Sequence, residues 1–287
     1  MTNDAGGASG GRLRVAAAFL PSPIFLLVIA CFVASGTMAW TSGFGTGRGA
    51  QLAVFAFVAS GWLISLCLHE FGHAFSAWRF GDRNVAVRGY LTLNPAKYAN
   101  VGLSLVLPMM FLLLGGIGLP GGAVYINRGA IRGKWRHSFV SGIGPLVNLV
   151  LALALIAVIS RTGTGAETTT APGISITENA NVTLLFHHNF WAALSFLAFL
   201  QVTAAIINLL PVPGLDGYGI WEPWLPREYA AAAAKVGPFG YIIVMGLLWI
   251  PPVNQAFFDG MFQLTGALGI QGYYIDLGRY LFQFWSN

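Results

Sequence analysis

The sequence predicts an all-α polytopic membrane protein with about six hydrophobic segments, one short membrane-associated β-hairpin and one re-entrant segment. Three observations carry that expectation. Of the 287 residues, 56% are hydrophobic and 9% charged, and the mean hydropathy is +0.68; a soluble globular domain carries roughly 25% charged residues. Several apolar runs approach the ~20 residues needed to cross ~30 Å of hydrocarbon. The basic residues stand in short connections between these runs (Arg79, Arg83, Arg88 and Lys97, then Arg128, Arg132, Lys134 and Arg136), as the positive-inside rule requires. The same numbers exclude a disordered chain, an independent soluble domain, and an extramembrane fold on a separate anchor. The formal charge of +5 and pI of 9.4 do not indicate nucleic acid, because Lys and Arg are not gathered on one face. Cys31 and Cys67 lie inside apolar runs, so neither a disulfide framework nor a cysteine metal site is indicated.

Residues 1–14, rich in Gly and Ala, read as a disordered cytoplasmic tail. Arg12 and Arg14 precede an apolar run from Val15 to Trp40, longer than a signal-peptide core and without a small-x-small exit, hence a retained first span. After the Gly-rich turn TSGFGTGRG, a second run covers Gln51 to Phe80. NVAVRGYLTLNP (84–95) alternates apolar and polar residues, a pattern that favours short strands. Val101–Leu119 is apolar but interrupted by Pro108 and closed by GGIGLPGG, and Ser138–Ile159 follows. The Thr-rich loop 161–183 has almost no basic residues and reads as non-cytoplasmic. Phe190–Leu210 and Val236–Ile250 are the last two runs, the latter stopped by Pro251 and Pro252. The domain thus extends over 15–258, and 259–287 reads as an amphipathic or membrane-associated C-terminal helix.

Chemistry enters with His69-Glu70-Phe71-Gly72-His73. In H-E-x-x-H two imidazoles at i and i+4 share one helical face and can chelate a single Zn²⁺, while the Glu activates water. Such groups disfavour insertion, a charge at mid-bilayer costing roughly 2.5–3.5 kcal/mol, so a compensating role is expected. Zinc needs a third protein ligand. Among the few acids beside apolar runs, Asp216 stands out, because Pro211, Pro213, Gly214 and Gly217 break the helix around it and let its carboxylate turn back toward a buried site. His187 and His188 read as interfacial and His137 as solvated.

HEFGH, GPLVN (144–148) and NLLPVPGLDG (208–217) together resemble the three signatures of the site-2 protease family of intramembrane zinc metalloproteases. GYLTLNPAKY (89–98), followed by an apolar run and Gly-Gly, resembles the subgroup that lacks a PDZ domain. The resemblance covers 51–225 and implies a three-helix catalytic core. It implies one Zn²⁺ held by His69, His73 and Asp216, with Glu70 as general base. Asn148 and Asn208 match positions implied to contact substrate backbone or the developing oxyanion; an interhelical hydrogen bond is the other reading of each. GGAVYINRG (121–129) departs from the W-A-K-P-V-P-like segment of that subgroup.

The two ligand-bearing segments both end near the implied site, so they run parallel and an odd number of full spans separates them. Of 101–119 and 138–159 only one may cross, and 101–119, flanked by basic loops on both sides, is expected to re-enter. The expected activity is intramembrane hydrolysis of a membrane protein or membrane-delivered peptide in the cell membrane, with the N-terminus and the active-site side cytoplasmic. The alternatives are a catalytically silent scaffold or binding protein of the same fold, against which the complete motif argues, and a metal transporter, for which further intramembrane His or Asp are lacking.

Overall fold

The computed structural model describes residues 18–98, 109–110, 112–113, 124–161 and 187–286. Its helices are α1 (Pro23–Thr41), α2 (Arg48–Arg79), α3 (Asn84–Val87), α4 (Lys134–Arg161), α5 (His188–Leu209), α6 (Asp216–Trp221), α7 (Arg227–Leu248), α8 (Pro251–Ala267) and α9 (Gly272–Phe282). Five of them, α1, α2, α4, α5 and α7, are long and apolar enough to cross a membrane. They correspond to the expected segments other than 101–119, which lies almost wholly outside the described residues, as do the tail 1–14 and the loop 162–186.

No strand occurs among the described residues, and the hairpin expected at 84–95 is replaced by α3 and a 3-10 turn at Tyr90–Thr92. The physical reason is local. Gly89 (φ 78°) and Leu93 (φ 56°) adopt left-handed backbone on either side of that turn, which breaks the pleat an alternating pattern would need. Val85, Tyr90 and Leu91 are buried against the end of α2, so the alternation reflects packing of turns. The same stretch anchors α1: the Ser22 N–H donates to Thr92 O at 2.8 Å, and the Ser22 hydroxyl caps the helix by accepting from Phe25 N–H at 3.2 Å.

α5 is the axis of the bundle. In its apolar window 89% of residues are buried, against 22% in α1 and in α7, so the outer helices expose most of their apolar surface. α2, α4, α5 and α9 pack around a core that includes Phe57, Trp62, Ile156, Phe196, Phe199 and Phe282. The starts of α2 and α5 lie at the same end: His187 Nδ1 bonds Trp40 O at 2.7 Å, and Asn189 Nδ2 donates to Ser42 Oγ and Gly45 O. α2 and α5 are therefore parallel, with α4 antiparallel between their site-bearing ends. α9 is amphipathic, as its sequence suggests. Its buried stripe of Ile275, Gly278, Leu281 and Phe282 docks on α5, where a Cβ at Gly278 would fall 2.2 Å from Ala192 O.

Candidate metal centre

His69 and His73 project from one face of α2, about 32 Å along a 32-residue helix. Asp216 opens α6 from a break that the sequence enforces. α5 ends at Leu209, Pro211 and Pro213 cannot continue it, and Gly214 turns the chain at φ 98°. Gly217 lets α6 tuck beneath α5, since a Cβ there would lie 2.2 Å from Leu209 O. α6 is held against α4 by Ser138 Oγ, which donates to Ile220 O at 2.6 Å and accepts from Trp224 Nε1 at 2.9 Å. The Arg128–Glu222 ion pair ties the end of α6 to the segment before α4.

The three expected ligands meet. The Nε2 atoms of His69 and His73 are 3.1 Å apart, and Asp216 Oδ2 is 3.2 and 3.3 Å from them. Tetrahedral ligands about 2.0–2.2 Å from Zn²⁺ are separated by ~3.3–3.5 Å, so this triangle is close to one face of a zinc tetrahedron. The hydrogen bonds behind the rings point the same way. His73 Nδ1 lies 2.6 Å from Val140 O, a group that can only accept, and His69 Nδ1 lies 2.8 Å from Asn148 Oδ1. Both Nδ1 atoms therefore donate, and both Nε2 atoms carry lone pairs into the centre. Three converging acceptors repel one another unless a cation stands between them. Gly144 of α4 keeps that space clear: a Cβ there would lie 2.2 Å from His73 Nε2 and 2.6 Å from His69 Nε2. The residues fit a divalent metal ion.

Glu70 is 2% exposed. Its Oε2 accepts the Val124 N–H at 3.2 Å, which leaves Oε1 on the metal side, 3.9 Å from His69 Nε2. The Asp216 side chain is 24% exposed. Asn148 makes the interhelical hydrogen bond, to His69. Asn208 is 2% exposed, and among the described residues its Nδ2 is unpartnered and no hydrogen bond joins it to the three acceptors. Gly144, the Val140 carbonyl and the Val124 N–H were not singled out from sequence; only Gly144 left a signal there, as a Gly-Pro pair inside an otherwise unbroken apolar run.

The sequence matches the family model described as "Peptidase family M50" over residues 57–250. It is 45% identical over 266 residues to the protein of Mycolicibacterium smegmatis named as the zinc metalloprotease Rip2, covering 93% of this chain and 95% of that one. The Mycobacterium tuberculosis protein of the same name is 44% identical over 269 residues, with 93% and 95% covered. A Bacillus subtilis protein named as the zinc metalloprotease YwhC is 27% identical over 218 residues, 72% of this chain and 89% of its own. No solved structure matches the chain significantly.

Proposed function

The chain belongs to peptidase family M50, and on that premise we propose that it is an intramembrane endopeptidase, cutting a peptide bond in or near the membrane-spanning part of a membrane protein or membrane-delivered peptide. It is a zinc metallopeptidase of the multi-pass membrane class. The observation that carries the finer reading is the convergence of His69, His73 and Asp216 beside buried Glu70, inside helices long enough to span a bilayer.

In this reading His69, His73 and Asp216 hold one Zn²⁺. The ion supplies Lewis acidity, polarising water and a peptide carbonyl. Glu70, fixed through Oε2 by the Val124 N–H, uses Oε1 to take a proton from the attacking water as the new C–O bond forms. It returns that proton to the amide nitrogen as the C–N bond breaks. Asn148 keeps the His69 tautomer and is a positioning residue. The unpartnered Nδ2 of Asn208 is a donor for the substrate carbonyl.

A helical substrate must unwind for its carbonyl to reach the centre. Val124–Asn127, beside Glu70, suits an extended partner: it is not helical, its burial alternates in and out, and Asn127 is extended. Among the described residues its Tyr125 and Ile126 backbone groups have no hydrogen-bond partner, so they are free for strand addition. The active-site end carries Arg79, Arg83, Arg128, Lys134 and Arg136, which supports a cytoplasmic orientation. We further place the chain in the subgroup without a PDZ domain.

Glu70→Gln in the full chain tests the reading against a silent scaffold. The variant is expected to keep one zinc per chain and to accumulate uncut membrane peptides relative to wild type. Identical membrane peptides in the two strains would leave only the scaffold.

A further inference from the structure

A groove of about 490 Å³ lies between α2 and α4, on residues the proteolytic reading does not use. Its walls are a stripe of α2 at Leu68, Phe71, Phe75 and Arg79 and a stripe of α4 at Phe139, Ile143 and Val147. The spacing of three to four residues in each stripe makes the groove run along the helices. From Leu68 to Arg79 it extends about 16 Å, close to half of a ~30 Å hydrocarbon layer, the depth of one leaflet. Gly72 sets its floor, for a Cβ there would meet Val147 Cγ2 at 3.3 Å.

One end of this apolar slot is cationic. Arg79 lines it and is exposed. The Arg136 guanidinium sits over the ring of Phe80, which lines the same end, at 5.5 Å from its centroid. Among the described residues neither of these two arginines pairs with a carboxylate. The nearest acid in sequence, Asp82, is 1% exposed and accepts the Asn84 and Asn127 N–H groups. Uncompensated guanidinium groups, one resting on a ring, at the mouth of a leaflet-deep apolar slot match a molecule with a hydrocarbon chain and an anionic head.

We infer that the groove between α2 and α4 is a binding site for an anionic phospholipid, with one acyl chain along Phe71, Phe75, Ile143 and Val147 and the phosphodiester over Arg79 and Arg136. A zwitterionic lipid of the same chain length brings an ammonium against two guanidinium groups and fits less well. The site stands or falls independently of peptide hydrolysis.

Native mass spectrometry of the full chain in detergent, offered equal amounts of phosphatidylglycerol and phosphatidylcholine with identical chains, reads the inference directly. Wild-type protein is expected to retain phosphatidylglycerol roughly tenfold over phosphatidylcholine. The Arg79→Gln/Arg136→Gln variant should bring the ratio near one while keeping its zinc, which reports an intact fold. Arg79→Lys/Arg136→Lys should keep most of the preference. Equal retention of the two lipids by the wild-type protein overturns the proposal without any variant. Displacement of phosphatidylglycerol by millimolar inorganic phosphate also overturns it, since that marks a bare anion site with no part for the acyl chain.

Discussion

Nδ1 of His69 on α2 lies 2.8 Å from Oδ1 of Asn148 on α4, 79 residues later in the chain. That bond fixes which ring nitrogen carries the proton and aims Nε2 at the metal centre. Asn148→Ala should lower zinc affinity by roughly 10–100-fold, the usual cost of losing a group behind a metal ligand. Asn148→Asp, which keeps an acceptor, should retain zinc. Competition with a zinc chelator measures both; equal affinities for wild type and Asn148→Ala would show that the contact does not orient the ring.

Gly144→Ala tests the space that α4 leaves for the ion. Alanine is favoured over glycine in a helix interior by about 0.5–1 kcal/mol, so α4 should not suffer. The added methyl, however, falls 2.2 Å from His73 Nε2, where the ion and its ligands must sit. Because both rings are buried and held through Nδ1, the variant should lose about 1–3 kcal/mol of stability even without metal and show no bound zinc by elemental analysis. Normal zinc content would contradict the geometry.

At the contact between α7 and the Pro211–Gly217 turn, the clash is with backbone instead. A Cβ at Gly240 would lie 1.6 Å from Pro213 O, and one at Gly214 would lie 2.1 Å from Gly237 O. Backbone meets backbone there, so no rotamer change can relieve the clash. Gly240→Ala should destabilise the detergent-solubilised protein by about 1–3 kcal/mol, as overpacking does, and weaken zinc binding by shifting the loop that carries Asp216. Thermal melts with and without zinc check both effects.

Gln201 is 1% exposed, donates from Nε2 to Ser65 Oγ at 2.9 Å, and among the described residues leaves Oε1 unpartnered. Ser65 Oγ also donates to Trp62 O, so it stays satisfied without Gln201. Removing a buried half-satisfied amide is close to neutral or stabilising. Gln201→Leu should therefore change stability by less than about 1 kcal/mol in either direction. A loss of several kcal/mol in denaturant or thermal unfolding would mean that the amide is needed.

Tyr125→Pro tests the segment beside Glu70. It removes an N–H that has no partner among the described residues, so the fold and zinc content should survive while cleavage of a membrane substrate falls by at least about tenfold. Tyr125→Phe should cleave like wild type. Unimpaired cleavage by Tyr125→Pro would exclude strand addition at this segment.

Part of this was legible in the chain alone. The helical nature of the spans, their lengths and their order follow from runs such as Ser138–Ile159, because hydropathy and basic flanks are local properties. The i, i+4 spacing of His69 and His73 already places both imidazoles on one face. The break at Pro211–Gly217 is likewise written in its residues. The alternation in 84–95 misled, because Gly89 and Leu93 take left-handed backbone and the apolar positions serve turns packed under α2. Asn148 permitted two readings, and its hydrogen bond to His69 depends on the position of α4 relative to α2, which no local pattern gives.

Composition and short-range spacing by themselves determined that this is a multi-pass helical membrane protein carrying a two-histidine chelate. They also marked Asp216 as a carboxylate on a broken helix end. The tertiary structure decided that Asp216 comes within 3.3 Å of both imidazoles, that Gly144 leaves room for an ion, and that Val124 holds Glu70. These depend on distant helices running parallel and packing closely, and contact across that much chain is set by side-chain complementarity in three dimensions, which no local pattern encodes.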